Sequence, residues 1–137
     1  VIQLDDNRIP VHVLITPAWG FILVNSQKYV NGRQKFFLSL YSINGDELKT
    51  IPVEFQVDKG IAWTSNDGFD YVALLSKNTN KIYAFEAFYL DTLSKNDLIY
   101  NSFHKIVAFE YIKSLSVICA VSINGCFIVI PFGIDQN

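Results

Sequence analysis

The side chains best able to do chemistry in this chain are few, and two histidines come first. His12 and His104 are its only histidines, and imidazole is the commonest general base and metal ligand of proteins. His12 alternates with valines at a predicted strand start, and neither histidine has another metal-binding residue at a metal-like spacing. We therefore expect a structural or surface role for both.

Carboxylates are the next candidates, and their spacing argues against a shared ligand. Asp5 and Asp6 are adjacent, so on an extended segment they point to opposite faces and form a solvated linker rather than a calcium or catalytic pair. Glu86 and Glu110 lie in apolar strands, where we expect each to pair with a lysine or face solvent. No phosphate loop, nucleophile elbow or Cys-X-X-Cys pair occurs. The sequence thus favours no enzyme, no cofactor, no metal and no catalytic residue.

The two cysteines, Cys119 and Cys126, are predicted to be unpaired. If Asn124-Gly125 is a two-residue turn, Cys119 faces Ile130 and Cys126 faces Ile123. The two thiols then lie about 13 Å apart along the hairpin, whereas a disulfide tolerates Cα separations of about 7 Å at most. We expect buried thiols and a reducing, cytoplasmic location.

A repeat of 45 residues organises the strands that position these side chains. Three strand-like segments begin 45 positions apart, at Phe36, Lys81 and Cys126, and each follows an apolar run and a polar turn. A period of about 40–50 residues with several short strands is typical of β-propeller blades. The predicted fold is therefore all-β, a partial β-propeller of about three four-stranded antiparallel blades.

The repeat also predicts the blade boundaries. Residues 1–10 form a linker or the end of a preceding blade, 11–55 blade one, 56–101 blade two and 102–137 an incomplete blade three. Propellers usually close with about 4–8 blades, and the chain contains no Met. We therefore expect this sequence to be part of a longer protein.

Local signals predict the details of each blade. Hairpin turns are expected at Asn44-Gly45, at 77–80 and at Asn124-Gly125. A polar loop is expected at 26–35 and an outer strand at 89–93, with a helix over 81–93 as the rival interpretation. The last hairpin should be buried on both sheet faces at the following positions: Val121, Ile123, Ile128, Val129 and Ile130.

Composition limits the partners. Half of the residues are apolar and only 18% are charged, which suits sheets stacked face to face. The net charge of -2 and the lack of a Lys/Arg cluster give no reason to expect nucleic acid. The 21 residues from Ser114 to Ile134 carry no charge, but Asn124-Gly125 in their middle favours a hairpin over a membrane helix.

Aromatic residues recur near corresponding places of the blades. Trp19 and Trp63 take such places in blades one and two, and Phe109 or Tyr111 does so in blade three. Packing between neighbouring blades is the expected role. Stacking on a ligand is the alternative.

The amino-acid sequences of several predicted strands and turns resemble those of a known family. The segments at 15–24 (ITPAWGFILV), 38–48 (LSLYSINGDEL) and 82–88 (IYAFEAF) are similar to the carboxy-terminal WD-repeat propeller of BEACH-domain proteins, the beige and neurobeachin group. The resemblance covers about 13–89, although the Trp-Asp and Gly-His signatures of WD repeats are absent. It implies a protein-binding platform in large cytoplasmic proteins of vesicle and lysosome traffic, peripheral to membranes only through the rest of the protein.

The leading hypothesis is thus a non-catalytic protein–protein interaction scaffold. The alternatives are a ligand-binding or hydrolase-type propeller fragment and a small independent β-sandwich binding module. Loops at one end of a propeller commonly bind partners, and we expect an acidic protein, or a neighbouring domain of the same chain, to dock there. The predicted partner-binding residues are Lys28, Tyr29, Arg33, Lys59 and Lys77.

Overall fold

The chain folds into three antiparallel β-sheets. The computed structural model describes residues 4, 7–92 and 97–132, and this part contains eleven strands. The first sheet comprises β1 (Ile9–Ile15), β2 (Ile22–Val30), β3 (Arg33–Tyr41) and β4 (Glu47–Val53). The second comprises β5 (Val57–Thr64), β6 (Asp70–Ser76), β7 (Lys81–Glu86) and β8 (Leu98–Asn101). The third comprises β9 (Ile106–Ile112), β10 (Val117–Ser122) and β11 (Phe127–Pro131).

Within each sheet the strands follow one another in up-and-down order. The leading strands of successive sheets touch, β1 against β5 and β5 against β9, as the inner strands of a propeller do. The described residues include no α-helix, and short 3₁₀ turns lie at Ala87–Thr92 and Lys113–Leu115. The predicted all-β, partial-propeller class is confirmed, with two four-stranded sheets and a third that has three strands in the described part.

Strand β6, one of the two central strands of the second sheet, is buried on both of its faces. All seven residues of β6 are buried. Val72 and Leu74 pack into the core shared with the first sheet, while Ala73 and Leu75 pack into the core shared with the third. This double burial explains the unbroken apolar run at 71–75, because a strand covered on both faces needs no polar alternation.

The first two predicted hairpin turns are confirmed. Gly45 has a positive φ of 92° and its N–H donates to Ser42 O. Between β6 and β7, Asn78 and Asn80 have φ of 72° and 56°. Asparagine tolerates this left-handed region better than most residues, which explains why two asparagines occupy the turn.

The third hairpin turns at the predicted place, but its predicted register is wrong by one residue. Ser122 N donates to Cys126 O, and Val121 is paired with Phe127. The loop therefore has three residues, 123–125, and Cys119 lies opposite Val129. Both cysteines are free, as expected, but neither is fully buried as predicted: Cys119 is half-buried and Cys126 is exposed.

Burial of the last hairpin on both faces is also wrong. Ile130 is buried, at 8% exposure, but Ile123 and Val129 are 65% and 60% exposed, and Val121 and Ile128 are half-buried. The third sheet packs on the second through one face only. Among the described residues no further sheet covers its other face, which carries Val129 and Phe127.

The predicted outer strand at 89–93 is wrong as far as the structure describes it, and so is the rival helix over 81–93. Residues 81–86 form β7, and the 3₁₀ turns at Ala87–Thr92 follow, with a kink at Tyr89. Ala87 and Leu90 are fully buried between the first and second sheets, which draws this segment inward and out of the sheet. The fourth strand is β8 instead, and Leu93 lies outside the described residues.

The double burial of β6 predicts a large difference between two truncations. Leu74→Ala removes a side chain that is 1% exposed and should lower the free energy of unfolding by about 2–5 kcal/mol. Val129→Ala, on the open face of the third sheet, should change it by about 0.5 kcal/mol or less. Urea denaturation of both variants measures the difference, and equal losses would contradict the assigned core.

Candidate binding groove

The aromatic groove, as we call it, lies where the first and second sheets meet. It is a cleft of about 350 Å³ at the end of the sheets that carries the β1–β2 and β5–β6 turns and the 3₁₀ segment after β7. Its lining combines five aromatic side chains with two carboxylates: Trp19, Phe21, Phe69, Phe88, Tyr89, Asp70 and Glu86.

Three of these rings form a platform, which we define as Phe21, Trp19 and Phe69. The Trp19 ring lies 6.3 Å from Phe21 and 6.2 Å from Phe69, with angles of only 3° and 12° between the ring planes. Trp19 is 56% exposed and Phe69 45% exposed. The platform therefore offers nearly parallel, accessible aromatic surface.

The β1–β2 turn that carries Trp19 is closed by short-range bonds. Thr16 N donates to Phe21 O, and Phe21 N donates to the Thr16 hydroxyl, each over 2.9 Å. Gly20 has a positive φ of 67°, a conformation that side chains disfavour. The sequence Pro17-Ala18-Trp19-Gly20 thus forms a tight turn that exposes its tryptophan.

Asp70 fixes this turn against the second sheet. Its carboxylate is 2% exposed and accepts backbone N–H bonds from Ala18 at 3.1 Å and Trp19 at 2.7 Å, and the hydroxyl of Thr64 at 2.7 Å. Burial raises its pKa, but these bonds outweigh that effect and hold the pKa of Asp70 below its usual value. The indole N–H of Trp19 also donates to Gly68 O at 2.9 Å, so two sheets jointly position one ring.

A cation of the chain itself lies against the far wall of the groove. Lys49 Nζ is 4.2 Å from the ring centroid of Phe88 and 5.5 Å from that of Tyr89. It also donates a hydrogen bond to Phe88 O. Cations are attracted to aromatic faces by the ring quadrupole, so these aromatic faces accept positive charge.

Glu86 supplies the second carboxylate of the groove, and it is half-buried at the end of β7. Burial, and secondarily Asp67, raises the pKa of Glu86, while Lys49 acts in the opposite direction. In the part of the chain that the structure describes, no group donates a hydrogen bond to its carboxylate. Glu110, the other acid predicted at a rim, is exposed on β9.

Trp19 and Trp63 do not occupy corresponding places in the first two sheets, so that prediction is wrong. Trp63 lies within β5, is 6% exposed and stacks on Tyr111 of the third sheet at 4.2 Å. Its predicted packing between blades is confirmed. Trp19 lies in a turn instead of a strand, and the inter-sheet contact it makes leaves the ring open to solvent.

Three of the predicted partner-binding residues lie on a projecting hairpin arm at the opposite end of the first sheet. The predicted loop at 26–35 is wrong, because β2 and β3 stay paired up to Val30 and Arg33. Neither β1 nor β4 has a partner in 28–35, so the arm extends about 10 Å beyond its neighbours. Lys28, Tyr29 and Arg33 lie on it, and Tyr29 is 67% exposed.

The other two predicted residues lie in the second sheet. Lys59, in β5, lines a shallow depression with His12 and Asp58. Lys77, in the β6–β7 turn, lines a second depression with Asp58 and Lys105. The structure therefore divides the predicted surface between the arm and these two depressions, and its role in binding stays a prediction.

The remaining candidates form no reactive cluster in the described residues. Burial lowers the pKa of the half-buried His12, with Asp58 opposing this shift. His104 is exposed, and Ser102 bonds to its backbone. No set of three His, Cys, Asp or Glu able to hold a metal occurs in the described ranges, and Asp5 and Asp6 lie outside them.

Comparison of the chain with protein-family models, with curated proteins and with solved structures finds no match. Nor does any helical turn of the described chain reach the length and apolar character of a membrane span.

The contacts of Asp70 predict that neutralising it loosens the groove. Asp70→Asn should lower the free energy of unfolding at neutral pH by about 1.5–3 kcal/mol, the scale of hydrogen bonds to a charged group. Because the folded pKa is depressed, this stability is present above the unfolded pKa of about 3.9 and is lost as pH falls through the folded pKa.

Denaturant titrations at several pH values measure this effect. The exposed Asp46, whose carboxylate has no such partners, provides the matched control Asp46→Asn. Equal losses from the two variants, or an unchanged acid dependence in Asp70→Asn, would contradict the role of Asp70.

Proposed function

We propose that the chain is a non-catalytic protein–protein interaction module that binds an extended peptide segment of its partner in the aromatic groove. One observation carries the proposal: an accessible aromatic platform held rigidly between two sheets. Tryptophan and tyrosine dominate binding energy at protein interfaces because they bury large area at little entropic cost. The groove offers stacking surface and charge, which supports binding rather than chemical turnover.

The pre-organisation of the platform favours this function. Asp70 and Gly68 hold Trp19 before any ligand arrives, so little side-chain freedom remains to be lost on binding. The groove volume of about 350 Å³ suits one or two side chains of a bound peptide rather than a globular surface.

We further propose that the module belongs to a cytoplasmic scaffold of vesicle or lysosome traffic. The resemblance of 15–24 and 38–48 to BEACH-protein propellers supports this assignment, and the two free cysteines suit a reducing compartment. In such a scaffold the predicted basic residues of the arm remain a second docking surface, available to an acidic partner or a neighbouring domain.

The proposal predicts that removing the platform abolishes peptide binding without unfolding the chain. A library of random short peptides displayed on phage, selected on the immobilised chain, should yield binders. Synthetic copies of these peptides should bind the Trp19→Ala variant at least about tenfold more weakly, as expected for a hot-spot aromatic. Trp19 is 56% exposed and its ring makes one hydrogen bond, to Gly68 O, so its removal should cost about 0.5–1.5 kcal/mol and leave the chain folded.

The double variant Tyr29→Ala, Arg33→Glu provides the matched control, since it changes exposed residues on the opposite end of the first sheet. It should retain the selected peptides at full affinity. Loss of binding in the arm variant with retention in Trp19→Ala would move the site to the arm. Phe69→Ala repeats the test at a second ring of the platform.

A further inference from the structure

The chemistry of the groove selects among peptide side chains, and here we infer that it recognises an arginine of the bound segment. This inference rests on the proposed function and specifies its ligand. The structural basis is the juxtaposition of the aromatic platform with the Glu86 carboxylate in one cleft.

The geometry of the platform favours a planar cation. Phe21, Trp19 and Phe69 present nearly parallel, stacked ring planes, and a guanidinium can lie parallel to them against their exposed faces. An ammonium group is compact and strongly hydrated, so it gains less from a flat surface than arginine does. Arginine is also the commoner partner in cation–π contacts.

The electrostatics of the groove favour a positive ligand. The Glu86 carboxylate accepts no hydrogen bond from the residues that the structure describes, and Asp67 adds negative charge near it while Lys49 adds positive charge. Asp70 is not available, because its oxygens already accept bonds from Ala18, Trp19 and Thr64. A guanidinium could donate two parallel bonds to Glu86 while stacking on the platform.

Lys49 shows that the groove already accommodates one cation against aromatic rings. It lies over Phe88 and Tyr89, residues outside the platform. The ring faces of Trp19 and Phe69 have no cation of the described chain within contact distance. Lys49 and the proposed arginine of the ligand thus contact different rings of the same groove. Glu86 lines this groove.

A double-substitution cycle tests the inference on the peptides that the display selection yields. The enriched sequences should contain an arginine. Replacing it by citrulline, which keeps the planar shape and loses the charge, should weaken binding about tenfold or more. Replacement by lysine should cost less than citrulline but still weaken binding, because the charge remains and the stacking is lost.

The same replacements are then measured on Glu86→Gln, with Glu110→Gln as the matched control. In Glu86→Gln, the difference between arginine and citrulline peptides should be several-fold smaller than in the unsubstituted chain, since the cycle removes the pairing with Glu86 and leaves only the cation–π attraction to the rings. In Glu110→Gln the full difference should remain, because that acid is exposed on β9. Isothermal calorimetry gives the affinities, and melting curves show that both variants are folded.

The outcomes separate the inference from the proposed function. Selected peptides without arginine, or equal affinity for arginine and citrulline, would overturn the inference and leave the groove as a peptide site. A citrulline effect of unchanged size in Glu86→Gln would also overturn it. Failure to select any peptide whose binding depends on Trp19 would overturn the proposed function itself.

Discussion

Double-sided burial of β6 is the constraint on which the rest of the structure depends. One strand contributes Val72 and Leu74 to the first core and Ala73 and Leu75 to the second. Each fully buried aliphatic side chain contributes about 1.5–3 kcal/mol, so neither flanking sheet can shift without exposing a row of them. The three sheets are thereby fixed in stacked order, and the turns at their ends acquire fixed relative positions.

The aromatic groove is a consequence of that stacking. The first core ends at Ala87 and Leu90, whose burial pulls the 3₁₀ segment toward the first sheet and leaves Phe88 and Tyr89 at its surface. Asp70, the first residue of β6, then binds the turn of the neighbouring sheet through Ala18 and Trp19. The same strand that holds the sheets together therefore also orients the ring that dominates the groove.

The sequence contained enough information for the fold but not for the site. Strand alternation and the 45-residue repeat predicted the sheets, because period-two burial and turn-forming Asn-Gly pairs are local signals. The register of the last hairpin could not be predicted, because the Asn124-Gly125 pair fits a three-residue loop as well as a two-residue loop. The sequence predicts too much burial for the third sheet, because an exposed valine such as Val129 cannot be told from a buried one by its residue type.

The groove itself was missed because it depends on contacts between residues about 50 positions apart, such as Trp19 with Asp70. A tryptophan between Pro17 and Gly20 was the available signal, because a large aromatic residue in a tight turn has no strand partner to bury it. The polar and basic residues of 26–35 predict a loop, whereas β2 and β3 stay paired up to Val30 and Arg33 and form the hairpin arm.

A ligand of the aromatic groove should contact Trp19 and leave the inter-sheet core undisturbed, and the chain provides its own internal control. Its two tryptophans donate indole N–H bonds to different acceptors, Trp19 to Gly68 O and Trp63 to Ser65 Oγ. Nitrogen-15 labelling of tryptophan gives one indole signal for each during titration with a selected peptide. We expect the Trp19 signal to move with saturation while the Trp63 signal stays in place. An unchanged Trp19 signal at saturating peptide, or a shift confined to Trp63, would contradict it.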